Sequence, residues 1–277
     1  MEIYVVISKV TAYKPSEQVK IAMDYRDAFR DLGLSPDCCV YVASSALSIR
    51  WNPDFVADIT HSLLEYFEAG TVVMPAFCSD FRTHGIFYVA ESKSICGMVA
   101  EHFRQLPGVS RTIRSPIHTV CCMGKLSESI LRLHAESSYG ESSVFALLRK
   151  KDAALLLIDC PFFDGVPFIN CLEEQYDVDY RYWKTISGDV IYENGARTSL
   201  SVNWFAKCID QVPEGRIPFL EKARRARLTE LGKQFYPTPL VKQAICGKTK
   251  FISFRVSDFY RFFEPLLQRD KNGFIQL

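Results

Sequence analysis

The sequence predicts an α/β fold of three layers, with helices on both faces of a mainly parallel central sheet. Three observations lead to it: helical and strand-like segments alternate between residues 16 and 78, the strand segments read as buried rather than half-exposed, and a further apolar run at 153–158 is far too short to cross a membrane. Taken in order, Ser16 to Gly33 carries apolar residues at helical spacing (Val19, Ala22, Tyr25, Phe29), with Ser16 placed to cap its start and Gly33 to end it. The strand Cys39–Ala43 follows. Val56 to Phe67 is a second amphipathic helix ended by Gly70, and Thr71–Pro75 the next strand. Such β-α-β connections favour parallel strands with ligands at their carboxyl ends, here Ser44-Ser45 and Ala76-Phe77-Cys78. Further helices are expected at Gly97–Arg104 and Lys125–His134. The run Ala153–Ile158 reads as a central strand opening into Asp159–Gly165, where a ligand would sit. After Trp183 the pattern turns strand-like and turn-rich, then helical from Pro218 to about Leu231. No repeat or linker divides the chain, so residues 1–277 are read as one domain with a weaker C-terminal part from residue 186.

Composition narrows the class. With 33 basic against 32 acidic residues the chain has no field that would draw nucleic acid or an anionic membrane, which leaves small molecules and proteins as partners. No apolar window of about 18 residues occurs, and the start lacks the basic and small-residue features of a signal peptide, so the expectation is a cytoplasmic protein. The ten cysteines are scattered, without a CxxC pair. Adjacent ones such as Cys38-Cys39 point to opposite faces of a strand, so buried, reduced thiols are expected and no metal site.

Signatures of P-loop nucleotide hydrolysis, dinucleotide binding, GxSxG hydrolases and HExxH metalloenzymes are missing. Longer segments stand out instead. Val42-Ala43-Ser44-Ser45-Ala46-Leu47 precedes Gly70-Thr71-Val72-Val73-Met74-Pro75-Ala76-Phe77; Cys96 to Arg104 precedes Pro107-Gly108, Arg111-Thr112 and Ser115 to Val120; Pro167 to Glu174 precedes Tyr180-Arg181-Tyr182-Trp183-Lys184. These collinear stretches resemble the aminoglycoside 3-N-acetyltransferase family, over roughly residues 15 to 185. The likeness is to its HSSL and GTLVMPTF segments, its MGxxxExFRxxPG segment, and the TFIHxxEE and YRYWK segments of its surface-polysaccharide relatives. The resemblance implies a coenzyme A-dependent N-acyltransferase, with acetyl-CoA or another acyl-CoA as co-substrate and an amino sugar or related amine as acceptor. It also implies a biosynthetic role more than a resistance one. Oligomeric state is left open.

The departures from the family cluster at the chemistry. In the family a histidine of a TxxHxxE motif removes the proton of the attacking amine and the glutamate orients it. Counted back from Glu173, that histidine position is Asn170 and the threonine position Pro167; slipped by one, Cys171 takes the place. An amide neither takes nor gives a proton near neutral pH. Ala43 and Ala76 also replace a histidine and a threonine of the family segments. The alternative is therefore a diverged member that has lost acetyl transfer, serving as a binding or scaffold protein or running another reaction in the same cleft. The candidate catalytic residues are Asn170, Glu173, His118 and Cys171. His118 serves either as a substitute base or as a residue shaping its turn, and Cys171 either as an acyl acceptor or as a packed thiol. The resemblance places coenzyme binding at Ser44, Ser45, Phe77 and Thr119. Asp159 either faces the pocket with a raised pKa or pairs with a buried cation. The basic run Lys222, Arg224, Arg225 and Arg227 reads as a solvated or partner-facing helix surface rather than a phosphate-binding patch, and the adjacent Glu173 and Glu174 point about 100° apart on a helix, so only one of them can face the cleft.

Overall fold

The computed structural model describes residues 24–45 and 53–275, together with the backbone of a short parallel pair, β1 (Val5–Val6) and β2 (Ile21–Ala22). The chain continues through α1 (Arg26–Asp31), β3 (Cys39–Ser44), α2 (Pro53–Tyr66), β4 (Thr71–Pro75), α3 (Asp80–His84), β5 (Ile86–Tyr88) and α4 (Met98–Arg104). Next come β6 (Ser110–Arg111), β7 (Val120–Gly124), α5 (Ser127–Leu131), α6 (Val144–Lys150), β8 (Ala154–Ile158), α7 (Phe162–Gly165) and α8 (Phe168–Gln175). A hairpin of β9 (Arg181–Ile191) and β10 (Arg197–Lys207) leads to α9 (Glu221–Phe235), β11 (Lys242–Cys246), β12 (Thr249–Arg255) and α10 (Val256–Arg269).

Seven strands form the main sheet in the order β11-β12-β8-β3-β4-β7-β6. The parallel character expected from the β-α-β rhythm belongs to its centre, where β3 pairs in parallel with both β4 and β8. The flanking pairs are antiparallel, β7 against β4 and β12 against β8, and β6 and β11 close the sheet as the antiparallel hairpin partners of β7 and β12. All five residues of β4 and of β8 are buried, as strands covered on both faces must be. Alternation along the strands separates two cores. Tyr41, Val73, Cys122, Leu155 and Leu157 face the layer of α6 to α10, while Val40, Val72, Met74, Cys121 and Leu156 face α1, α2 and α4. Three layers result, and all ten cysteines are free thiols. No helix among the described residues is long and apolar enough to cross a membrane.

Several boundaries differ from the sequence reading. The Ser16 cap lies outside the described residues, and the described helix begins at Arg26; Gly33 does adopt φ +70° just past its end. The predicted helix at 125–134 shrinks to α5, and the one at 218–231 shifts to α9. The strands β7 and β12 and the helix α10 had no counterpart in the reading.

The hairpin with β5 forms a second sheet, seated on a small core of Cys78, Phe81, Phe87, Ile117, Val190 and Val202. Its position depends on Gly188, where a Cβ would stand 2.3 Å from the Gly85 carbonyl oxygen. Gly188→Ala is expected to cost about 1–3 kcal/mol by forcing β9 off β5. Differential scanning calorimetry should show a lower melting temperature, and an unchanged one would contradict this packing.

Candidate active site

The carboxyl ends of β3, β4 and β8 open onto one edge of the sheet, the position that parallel strands offer to ligands. A cleft of about 590 Å³ lies there. Ser44 and Ser45 line it from the end of β3, Phe77 from beyond β4, Gly97 and Met98 from the start of α4, and Cys160 from beyond β8. A second cleft of about 460 Å³ adjoins it, walled by His118, Tyr139 and the β9–β10 hairpin. Phe77, Phe163, Asp164, Val166 and Asn170 line both. Asn170 therefore stands where the two clefts meet, carried there by α8, whose entry is set by Pro167.

The surroundings of Asn170 fix which way its amide points. Its Oδ1 accepts from Arg181 Nη2 at 2.8 Å and from Arg224 Nη2 at 3.4 Å, and its Nδ2 donates to the Tyr139 hydroxyl at 3.2 Å. With the oxygen committed to two guanidiniums, the side chain offers N–H, not a lone pair, to the junction. One turn further along α8, Glu173 is 0% exposed. Its Oε1 accepts from Arg224 Nε at 2.6 Å and from the Tyr180 hydroxyl at 3.0 Å, and its Oε2 pairs with Arg181 Nη2 at 2.7 Å. Burial by itself would raise this carboxyl's pKa. The Arg181 and Arg224 guanidiniums and the hydrogen bonds outweigh it and hold Glu173 below the usual carboxylate range. Arg181 and Arg224 are themselves buried, at 5% and 7% exposure. Glu174 points elsewhere, accepting from Ser137.

His118 lines the second cleft, its Nδ1 2.8 Å from the Ser138 hydroxyl and its ring packed against Phe77 and Tyr139. Desolvation, then the Arg181 and Arg82 charges, push its pKa down to about 3, so the imidazole is neutral near pH 7 and a weak proton acceptor.

Other expectations are corrected. Cys171, one residue from Asn170, lines neither cleft; its Sγ lies 3.7 Å from the Pro167 carbonyl oxygen, within the apolar core. Desolvation raises its pKa well above the ordinary thiol range, so no thiolate is available there as an acyl acceptor. Thr119 is fully buried and lines neither cleft, because its hydroxyl donates to the Ala76 carbonyl and accepts from Arg111 Nε at 3.1 Å. Asp159 neither faces the junction nor pairs with a buried cation: its Oδ1 accepts the Lys250 backbone N–H at 2.9 Å, and it lines a separate, largely apolar cavity behind Cys160. The basic run on α9 is not one solvated face either, since Arg224 points into the Glu173 cluster and Arg225 lies over the Phe163 ring at 4.3 Å. A signal for Arg224 was present: it shares helical spacing with Leu228, Leu231 and Phe235, all buried. Among the described residues no group of three His, Cys, Asp or Glu side chains could hold a metal ion.

The described residues define a layered α/β protein with two adjoining clefts at the carboxyl ends of its central parallel strands, where such sheets hold ligands. Residues 41–268 match the aminoglycoside 3-N-acetyltransferase family, most of the chain, and the protein belongs to that family. Among solved structures it is similar to AAC-IIIb in binary complex with CoASH, at 18% identity and TM-score 0.71, over 88% of this chain and 95% of that one. It is also similar to the apoenzyme of aminoglycoside acetyltransferase AAC(3)-IVa, at 19% identity and TM-score 0.69, over 91% of this chain and 90% of that one. The YokD protein of Bacillus subtilis has 21% identity and TM-score 0.68, over 90% of this chain and 93% of that one. No curated protein matches the sequence.

Proposed function

We propose that this protein is a coenzyme A-dependent N-acyltransferase that acylates an amino sugar or related amine, in a biosynthetic role, by direct transfer within a ternary complex. The observation that carries the reading is the junction: two clefts, one apolar with hydroxyls and one polar, share Asn170. The larger cleft suits an extended, amide-bearing thiol arm. Ile95, Met98 and Phe77 supply apolar walls, Ser44 and Ser45 supply hydroxyls, and Gly97, at φ +98°, keeps the backbone open beside Ser44. An acyl-CoA bound there supplies the acyl group as an activated thioester. In the reaction the neutral amine forms a C–N bond to the acyl carbon while the thioester C–S bond breaks; the nitrogen then gives one proton to solvent and the departing thiolate takes one up, leaving an amide and a free thiol.

The residues of this chain act on that exchange by placement. Asn170, clamped by Arg181 and Arg224, can direct an N–H toward a carbonyl oxygen at the junction, where charge develops. Phe77 and Phe163, shared by both clefts, give the meeting point apolar walls. With the histidine position occupied by Asn170 and His118 a weak base, alignment of the two substrates becomes the main source of rate. Calorimetric titration of acetyl-CoA into the protein is expected to give saturable heat and a raised melting temperature. No heat and no thermal shift at millimolar ligand would overturn the proposal and favour a diverged member without the coenzyme.

A further inference from the structure

The walls of the second cleft have a polarity that the acyltransferase reading leaves unused. Its coenzyme-side end carries the Asp164 carboxylate, which also lines the first cleft. Its far wall carries Arg82 from α3, with Lys184 and Trp204 from the hairpin, none of which lines the first cleft. Lys184 and Trp204 face each other across the β9–β10 ladder, and the Arg82 guanidinium lies over the Trp204 ring at 5.4 Å. The other charges of this cleft are already committed. Arg181 and Arg224 are paired with Glu173, and Lys207 with Glu221 at 3.0 Å; only Asp210 adds an uncommitted negative group to the same cleft. Arg82 and Lys184 are exposed, and neither has an ion-pair partner among the described residues. Arg82, seated on the Trp204 ring, and Lys184 beside it thus form a pair of cations without carboxylate partners among the described residues, a surface for the anionic substituent of a sugar.

We infer that the acceptor is an amino sugar bearing a phosphate or carboxylate, its amine directed toward Asp164 and Asn170 and its anionic group held by Arg82 and Lys184 beside Trp204. This inference rests on the acyltransferase reading for the role of the ligand, but not for its binding. A polycationic amine would meet Arg82 and Lys184 as like charges.

The test uses the full-length protein and four probes: glucosamine 6-phosphate, 2-amino-2-deoxyglucuronate, glucosamine and sisomicin. Each is titrated calorimetrically with and without bound acetyl-CoA, and turnover is followed as free thiol released. The expected result is that one of the two anionic probes binds at least tenfold more tightly than glucosamine, with sisomicin weakest; which one it is tells phosphate from carboxylate. Arg82→Glu and Lys184→Glu, both at exposed positions and checked for unchanged melting, should each weaken the anionic probe about tenfold, raising KM with little change in kcat. Raising the salt concentration should weaken the anionic probe alone. Preference for sisomicin, equal binding of glucosamine and the anionic probes, or charge reversals without effect would overturn the inference while leaving acetyl-CoA binding untouched. Binding of an anionic probe by a protein that does not bind acetyl-CoA would uphold the acceptor chemistry and refute the acyltransferase.

Discussion

Glu173→Gln is expected to destabilise the protein by about 3–5 kcal/mol, a fall of roughly 10 °C in melting temperature. The substitution preserves volume and one hydrogen-bond acceptor, so the loss is electrostatic. It leaves the Arg181 and Arg224 guanidiniums buried and close together without the carboxylate that now lies 2.7 Å from one and 2.6 Å from the other. A double-mutant cycle separates this from packing. Arg224→Met added to Glu173→Gln should restore part of the loss, because it removes one of the orphaned charges, whereas a packing defect would deepen. Acid titration gives a second readout. The folded-state pKa of Glu173 lies below its ordinary value of 4.5, so its contribution is fully present above about that pH and is lost as pH falls through the lower, folded value. Stability of the wild type should therefore fall below about pH 4.5, and more steeply than that of the Glu173→Gln protein. Parallel acid limbs would show that the cluster does not stabilise the fold.

Asn170→His is expected to raise kcat/KM for acetyl transfer at neutral pH by about a hundredfold, the scale of general-base assistance. Arg181 and Arg224 beside residue 170 would lower the imidazole pKa, keeping it neutral and open to a proton but weakening it as a base, so the gain is set at the low end of what general-base assistance gives. The pH profile distinguishes a base from a gain in binding. In the wild type, with His118 held near 3 and no other imidazole at the junction, kcat/KM should rise tenfold per pH unit up to the pKa of the acceptor amine. In Asn170→His the rise should break at the imidazole pKa and level off. A faster variant with an unbroken profile would mean that the histidine positions substrate rather than taking its proton, and an unchanged rate in a stably folded variant would remove residue 170 from the chemistry.

These two residues also show where sequence reading succeeds and where it stops. The central strands were legible because hydrophobic periodicity is local: Thr71–Pro75 and Ala153–Ile158 announce burial on both faces within five or six residues. Asn170, Phe77, Ser44 and Ser45 were legible as cleft residues because they stand in segments with a family likeness, and α8 and the strand ends put them there. The antiparallel strands flanking the parallel centre were not legible. β7 and β12 are each held between two antiparallel neighbours, β4 and β6 for one and β8 and β11 for the other, pairings made between segments distant in the chain as well as with a hairpin partner. Arg224 was misread because a basic run on a helix is usually solvated; what buries it is Glu173, 51 residues earlier in the chain. Cys171 takes the histidine place of the motif when the register is slipped by one, but helical geometry turns it about 100° away from Asn170 into the core.

The sequence by itself determined the layered α/β class, the family and the absence of a histidine one turn before Glu173, since each of these is written in local residue patterns. Tertiary structure alone decided that Asn170 offers an N–H rather than a lone pair, that two clefts meet at it, and that Arg82 and Lys184 flank Trp204. Amide orientation, cleft continuity and charge balance all depend on groups from α3, α8, α9 and the hairpin, and the energy that sets them is the mutual satisfaction of buried polar partners distant in the chain.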